Sequence, residues 1–293
     1  MPKVILAAPA KLNLHLEILG QRSDGFHELE TLFQTIDLHD RVEVSLSSSA
    51  APGIALICDD PSLPADRRNL AWRAAESFLA NADQSLALSI VLHKNIPHGA
   101  GLGGGSSDAA AVLRALHDLL PGIHDAAGIA ALAADLGSDV PFFLLGGTAL
   151  GHGRGEILSS LPDLPRRPVT VFMPDASVST PAAFAALTAD ERGPRLGHDA
   201  RWWQERLAGD PMRVGTNRLT GPARRLCPPV GELLDWLNKQ GAPYLMSGSG
   251  AACFALAHLD PPPGVRAWRS YFCSRERALA LTRVRRSTSD VRR

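Results

Sequence analysis

The sequence predicts an α/β protein, in the broader sense α+β, made of two units. Three observations carry this. A candidate strand, a glycine-rich loop and a helix follow one another between residues 85 and 120. Segments of period-two alternation and segments of helical spacing interleave along the rest of the chain. Finally, P-D-L-P-R-R-P, ending at Pro168, puts three prolines in seven residues near the middle, which separates a unit at 1–161 from one at 168–293. A length of 293 residues suits one large or two ordinary domains, and a hydrophobic fraction of 45% is ample for their cores.

The stretch that organises the chain is Asn95–Asp108, N-I-P-H-G-A-G-L-G-G-G-S-S-D. Gly99, Gly101, Gly103, Gly104 and Gly105 crowd together there. Glycine offers nothing to a core, so this density serves the backbone: it permits positive φ and close approach of another molecule. Ser106, Ser107 and Asp108 are helix-capping residue types. The following A-A-A-V-L-R-A-L-H-D-L-L is a run of helix formers. Free N–H groups and the positive end of a helix make such a unit an anion site, most often for phosphate. It is not a P-loop, because no Gly-Lys-Ser/Thr follows. A G-x-G-x-x-G match exists at Gly99, Gly101 and Gly104. The region about twenty residues on, where a dinucleotide fold needs an acidic strand end, reads instead as helix. Ser106 and Ser107 can cap, bind phosphate or do both. Asp108 is read as a helix-start residue rather than a base, since it sits beside bound phosphate. Lys94, just before the loop, is assigned no role.

Taken in order, 11–19 alternates Leu12, Leu14, Leu16 and Ile18 with Asn13, His15 and Glu17, a half-buried strand with a polar face. Asp24-Gly25 is a tight turn. Strands are expected at 31–36 and 42–46 with a break at 37–41, a helix at 69–82, and a strand at 85–93. After the loop helix come a helix at 126–136 with Gly137 as its left-handed stop, and then Ser138-Asp139-Val140-Pro141. Pro141 is expected to keep Val140 extended, with strand pieces at 142–145 and 148–150. The second unit is expected to hold a strand at 169–173 and helices at 180–187, 201–207 and 230–240. A strand at 244–246, the turn Ser247-Gly248-Ser249-Gly250 and a returning strand at 252–257 follow. A helix at 265–274, a strand at 279–284 and a solvated arginine-rich tail end the chain.

Formal net charge is +0, so no global field draws nucleic acid or an anionic membrane. The N-terminal V-I-L-A-A-P-A is too short for a span. Four scattered cysteines form no C-x-x-C pair, which suits a reducing, cytoplasmic compartment and excludes a zinc or disulfide framework.

Three stretches in order, P-A-K-L-N-L at 9–14, P-H-G-A-G-L-G-G-G-S-S-D at 97–108 and M-S-G-S-G-A-A-C-F at 246–254, resemble the GHMP kinase superfamily. Q-R-S-D-G-F-H-E-L-E-T at 21–31 and L-G-S-D-V-P-F-F at 136–143 resemble, within it, the branch of 4-diphosphocytidyl-2-C-methyl-D-erythritol kinases. The resemblance spans 9 to about 257. It implies an N-terminal α/β domain with a left-handed β-α-β unit and a ferredoxin-like C-terminal domain. The implied reaction is transfer of phosphate from ATP, with Mg²⁺, to the 2-hydroxyl of a cytidyl-diphosphate methylerythritol, in non-mevalonate isoprenoid biosynthesis. An alternative is a kinase for another small alcohol such as homoserine or mevalonate, against which D-G-F-H-E-L argues. A nucleotide-binding regulator without catalysis is disfavoured by the presence of both Lys11 and Asp139. Metal ligands and oligomeric state are not implied.

The resemblance also implies the site. Pro97, His98, Gly99, Ala100, Gly101, Leu102, Gly103, Gly104, Gly105, Ser106 and Ser107 would wrap the ATP phosphates. Lys11 and Asp139 would be catalytic. Asn13, Phe26, His27, Phe184, Ser247, Gly248, Ser249 and Gly250 would bind the acceptor, with Phe26 and Phe184 around the cytosine. The chemistry agrees: a tertiary alcohol is a weak acid and benefits from a positioned carboxylate. A cation beside it stabilises charge on the transferring group. Phe26 departs from the tyrosine common at this position, which keeps stacking and loses a phenol hydrogen bond.

Overall fold

A computed structural model describes residues 2–48, 52–80, 82, 86–192, 197–210 and 215–280. Strands β1 (Lys3–Gln21) and β2 (His27–Ser48) form one long antiparallel hairpin. Asp24-Gly25 makes its turn: Gly25 has φ +86°, and the Phe26 N–H donates to Asp24 Oδ1 at 3.1 Å. Two expectations are corrected here. The face of β1 carrying Lys11, Asn13 and His15 is buried rather than open, because the second unit covers it. Residues 37–41 do not break β2; they continue it. Both aspartates in the stretch are taken up by the fold: Asp37 accepts from Arg277, and Asp40 is wholly buried.

Then follow β3 (Gly53–Cys58), α1 (Leu70–Leu79) and β4 (Leu86–His93). β3 and β4 pair in parallel, so the three form a β-α-β unit. The Asn69 side chain caps α1 through the Ala71 N–H. Helices α2 (Gly104–Leu119), α3 (Ala126–Leu136) and α4 (Val140–Leu145) lead into β5 (Thr148–His152) and β6 (Ile157–Ser160). The first sheet runs β3-β4-β2-β5-β6, with β1 on β2. Its apolar side chains, among them Val44 and Ile90, share one core with Phe78, Leu113 and Phe142 from the helices. The strand expected at 142–145 is helix α4. Pro141 lies in its first turn, where a missing N–H costs no hydrogen bond, so the proline starts a helix rather than preventing one. Gly137 has φ 169°, extended backbone and not a left-handed stop.

The second unit contains β7 (Pro168–Pro174), α5 (Thr180–Ala185), α6 (Ala189–Arg192), α7 (Ala200–Gly209), α8 (Thr220–Leu226) and α9 (Pro228–Asn238). β8 (Tyr244–Met246), β9 (Cys253–Ala255), β10 (Val265–Tyr271) and α10 (Arg275–Ala280) complete it. Its sheet runs β10-β7-β9-β8, all antiparallel, which is the ferredoxin-like strand order. The helix expected at 265–274 is strand β10. Val, Trp and Tyr in V-R-A-W-R-S-Y suit an edge strand, and pairing with β7 decides the matter against a weak helical spacing. Of the strand expected at 279–284, residues 279 and 280 belong to α10 and the rest lie outside the described residues, as does the arginine-rich tail. Residues 272–280 return to the first sheet, where the Cys273 N–H donates to the Thr35 carbonyl.

Candidate active site

The glycine loop hangs between strand β4 and helix α2, and both units hold it. The Lys11 N–H of β1 donates to the Leu102 carbonyl at 3.0 Å, and the Ala252 N–H donates to the Ala100 carbonyl at 3.2 Å. Ser247 Oγ donates to the Gly101 carbonyl at 3.0 Å and accepts the Asn13 N–H at 3.3 Å. Gly248 fits against Gly101 because neither has a Cβ; one on Gly248 would lie 3.0 Å from the Gly101 carbonyl oxygen. Asn217 fixes the 246–250 turn by donating to the Met246 and Gly248 carbonyls at 2.8 Å each.

Gly99, Gly101 and Gly103 have φ of +64°, +75° and +74°. Ala100 and Leu102, between them, are buried anchors. Alternation of glycine and anchor thus keeps Ala100 and Leu102 buried while Gly99, Gly101 and Gly103 line the cavities. Gly103 is the N-cap of α2 and no side chain caps that helix, so its first N–H groups have no side-chain acceptor. The expected capping by Ser106, Ser107 and Asp108 is therefore corrected: all three lie inside the helix. Gly104 and Gly105 are its first residues and have ordinary helical backbone. Ser107 Oγ is buried without a partner.

Two cavities meet at the loop. One, of about 740 Å³, is lined by Gly101, Gly103 and Ser106 of the loop, by Lys11, Asn13 and Asp139, and by Phe26, His27 and Phe184. Gly248 and Ser249 also reach it, whereas Ser247 and Gly250 stand behind it. The other, of about 1200 Å³, is lined by Lys94 to Gly99, the 173–179 segment and Trp268. Pro97, His98 and Gly99 face this second cavity. In the free loop a Cβ on Gly99 meets nothing within 4 Å. Gly99→Val is therefore expected to cost only about 1–2 kcal/mol of backbone strain while blocking approach to the loop. Calorimetry should show weakened nucleotide binding by a protein that still melts cooperatively. Unchanged affinity would take Gly99 out of the cradle.

Lys11 Nζ donates to Asn13 Oδ1 at 2.6 Å and lies 3.3 Å from Asp139 Oδ2. Lys11 is buried, while the Asp139 side chain is 32% exposed and opens on the cavity. Asp139 occupies the junction of α3 and α4. Asn13 Nδ2 donates to Thr31 Oγ1 at 2.7 Å, and Thr31 in turn donates to the His15 carbonyl. This chain of bonds fixes the amide so that its oxygen faces the ammonium. Thr31 carried no signal in the sequence beyond its place in a strand.

At the far end of the same cavity His27 stacks on Phe184, ring centroids 5.0 Å apart. Phe26 is 54% exposed, with the Arg154 guanidinium over its ring at 5.1 Å. His27 Nε2 is buried without a hydrogen-bond partner. Burial, with Arg192 nearby, pushes its pKa below the ordinary value, so the ring is neutral near pH 7 with one donor and one acceptor. Arg154 and Arg192 both line the cavity and were missed from sequence. Arg154 stands between Gly153 and Gly155, a cationic residue inside a glycine cluster, which was the available signal.

Behind the loop lies a charge cluster the sequence did not reveal. Lys94 Nζ bonds both Asp40 Oδ2 and Asp108 Oδ2, and all three side chains are buried. Asp108 Oδ1 has no partner. Burial raises the Asp108 pKa to about 7, with the Asp40 carboxylate adding to the rise and Lys94 opposing it. The folded chain thus holds this proton more tightly than the unfolded one, and the wild type loses stability as pH rises from about 4 to about 7. Asp108→Asn cannot ionise, so its Tm relative to wild type should climb over that window and level off above it. At 1.36 kcal/mol per unit the gain between pH 5 and pH 7 is at most about 2.7 kcal/mol. Melting curves across pH 5–8 check this; a constant difference would place the Asp108 carboxyl in its ordinary range.

Residues 69–147 match the model of the GHMP kinases N terminal domain, and residues 198–272 match that of the GHMP kinases C terminal. The 4-diphosphocytidyl-2-C-methyl-D-erythritol kinase of Thermus thermophilus is 45% identical over 251 residues, 85% of this chain and 86% of its own. That of Desulfitobacterium hafniense is 39% identical over 264 residues, 88% of each. A crystal structure of a 4-(cytidine 5'-diphospho)-2C-methyl-D-erythritol kinase superposes with a TM-score of 0.77 at 42% identity, covering 91% of this chain and 98% of that one. A homoserine kinase from Cytophaga hutchinsonii shares the fold at 20% identity, with a TM-score of 0.61 over 93% of this chain and 95% of its own. A glycine cradle on a helix N-terminus, a lysine–aspartate pair beside it and these likenesses converge: the chain belongs to the GHMP kinase family, among the 4-diphosphocytidyl-2-C-methyl-D-erythritol kinases.

Proposed function

We propose that this ATP-dependent kinase phosphorylates the 2-hydroxyl of 4-diphosphocytidyl-2-C-methyl-D-erythritol in cytoplasmic isoprenoid precursor synthesis, with Asp139 as general base and Lys11 as its electrostatic partner. The observation that carries the assignment is the sharing of one cavity wall by the Lys11–Asp139 pair, the loop residues Gly101, Gly103 and Ser106, and the Phe26–His27–Phe184 group. Asp139 takes the proton of the acceptor hydroxyl. The freed oxygen bonds the γ-phosphorus of ATP as the bond from that phosphorus to the β,γ-bridging oxygen breaks, and ADP leaves. Such a transition state asks the protein for positioning and charge neutralisation. The loop amides and α2 N-terminus supply donors to the phosphates, and Lys11 balances charge on the transferring group.

The larger cavity, with Trp268 on its wall, suits the nucleoside end of ATP. Mg²⁺ on ATP needs only one or two protein oxygens. Ser106, on the cavity wall beside the loop, fits that demand, and the ion would neutralise phosphate charge there. For the base, Phe26 and Phe184 offer ring faces, and the neutral His27 ring on the same cavity wall offers an edge contact. We take residues 1–161 and 168–293 as the two domains.

Base–aromatic stacking is worth about 1–3 kcal/mol, so Phe26→Ala should raise KM for the cytidyl substrate by roughly ten- to a hundredfold with ATP affinity unchanged. His27→Ala should narrow the preference for cytidyl over uridyl substrate, because stacking does not separate those bases and edge hydrogen bonds do. Steady-state kinetics on both substrates decide it. Full cytidyl preference in His27→Ala would mean that the base is read elsewhere.

A further inference from the structure

The Asp40–Lys94–Asp108 cluster touches the start of the glycine loop and the first turns of α2 at once. Asp40 Oδ1 accepts the Asn95 and Ile96 N–H groups at 2.6 and 2.8 Å. Its other oxygen holds Lys94, which also binds Asp108 on the helix. The Lys94 N–H donates to Asp59 Oδ1 at 2.9 Å, which ties the same residue to the end of β3. A Cβ on Gly104 would lie 3.2 Å from Ile96 and 3.5 Å from Asp40 Oδ2, so the loop entry and the helix start are packed through this cluster. Lys94 stands on the wall of the larger cavity.

A glycine-rich loop has more conformational freedom to lose than any other segment, and that loss opposes ligand binding. Holding its first two N–H groups on a buried carboxylate settles part of it before the ligand arrives. The cluster also poses an electrostatic problem. With both carboxylates ionised, two negative charges share one positive charge next to a site for a polyanion. Buried ion pairs seldom add stability over apolar packing, so retention of one here calls for a reason of specificity.

We propose that Asp40 and Lys94 are positioning residues for nucleotide: Asp40 pins the entry of the glycine loop, and Lys94 both locks that pin and screens the phosphates from the two carboxylates beneath. This rests on the loop being the ATP-phosphate site. Asp108 is the component that opposes nucleotide, because its ionised form adds negative charge without binding the loop.

The test is KM for ATP, KM for the alcohol and Tm in Lys94→Met, Asp40→Asn, their double variant and Asp108→Asn. Loss of a charge-assisted contact predicts a rise in KM for ATP of roughly tenfold or more in each of the first two. KM for the alcohol should stay near wild type, and the double variant should fall well short of the product of the singles. KM for ATP within twofold of wild type in folded single variants, with only Tm reduced, would make the cluster structural and overturn the proposal. Should those variants fail to fold, Asp108→Asn still decides. At pH 8 it removes one negative charge below the loop, so KM for ATP should fall severalfold, a gain that structural damage does not produce. An unchanged or raised KM in that variant would overturn the screening role. Gly99→Val reports on the loop itself: weakened nucleotide there with none in Lys94→Met would leave the loop site standing and remove the positioning role.

Discussion

Asp139→Asn is expected to lower kcat by roughly 10²–10⁴-fold, the usual loss when a general base is removed. The carboxamide keeps the shape of the side chain and its place at the junction of α3 and α4, and it cannot take the hydroxyl proton. Because Asp139 is part-exposed and bonded to the fold chiefly through Lys11, Tm should change little. Nucleotide binding should persist, since the loop amides and α2 N-terminus are untouched. Single-turnover measurements separate chemistry from product release. Near-normal turnover in the purified variant would remove Asp139 from the reaction.

Lys11→Met is expected to cost roughly 10²–10³-fold in kcat, the scale of losing one preorganised electrostatic contact. Lys11 is buried, its Nζ lies 5.4 Å from the Phe33 ring centroid, and it is bonded to Asn13. Methionine preserves most of that packing, so the loss should fall on rate rather than on folding. Without the ammonium, Asn13 Oδ1 loses its donor and Asp139 its neighbour. The two residues then act as one unit, and Lys11→Met/Asp139→Asn should be far less damaging than the product of the single effects. Full additivity would mean that the 3.3 Å contact has no part in catalysis.

The core of this site was legible because its parts are local. The glycine loop announces itself by composition, the turn before Phe26 by Asp-Gly, and helix α3 by its spacing. What stayed hidden depends on tertiary partners. Lys11 and Asn13 looked like the wet face of a strand; the glycine loop and the 246–250 turn, packed over β1, bury them. Asp40 looked like part of a break between strands, since nothing local shows that its carboxylate will meet the Asn95 and Ile96 amides 55 and 56 residues on. Pro141 was read as a stop, although the same residue at a first turn is a start, and the choice between them lies in whether Phe142 and Phe143 have a core to enter. They do, and α4 forms. β10 reversed a helical reading for a similar reason, because an open edge of β7 was available to pair with it.

The measurement that bears most directly on the central claim is ATP turnover by the purified protein on three alcohols side by side: 4-diphosphocytidyl-2-C-methyl-D-erythritol, homoserine and mevalonate. The site predicts phosphorylation of the cytidyl substrate at its 2-hydroxyl, with kcat/KM at least about a hundredfold above either small alcohol, since those lack the base that Phe26, His27 and Phe184 would hold. Comparable or faster turnover of homoserine or mevalonate would contradict it.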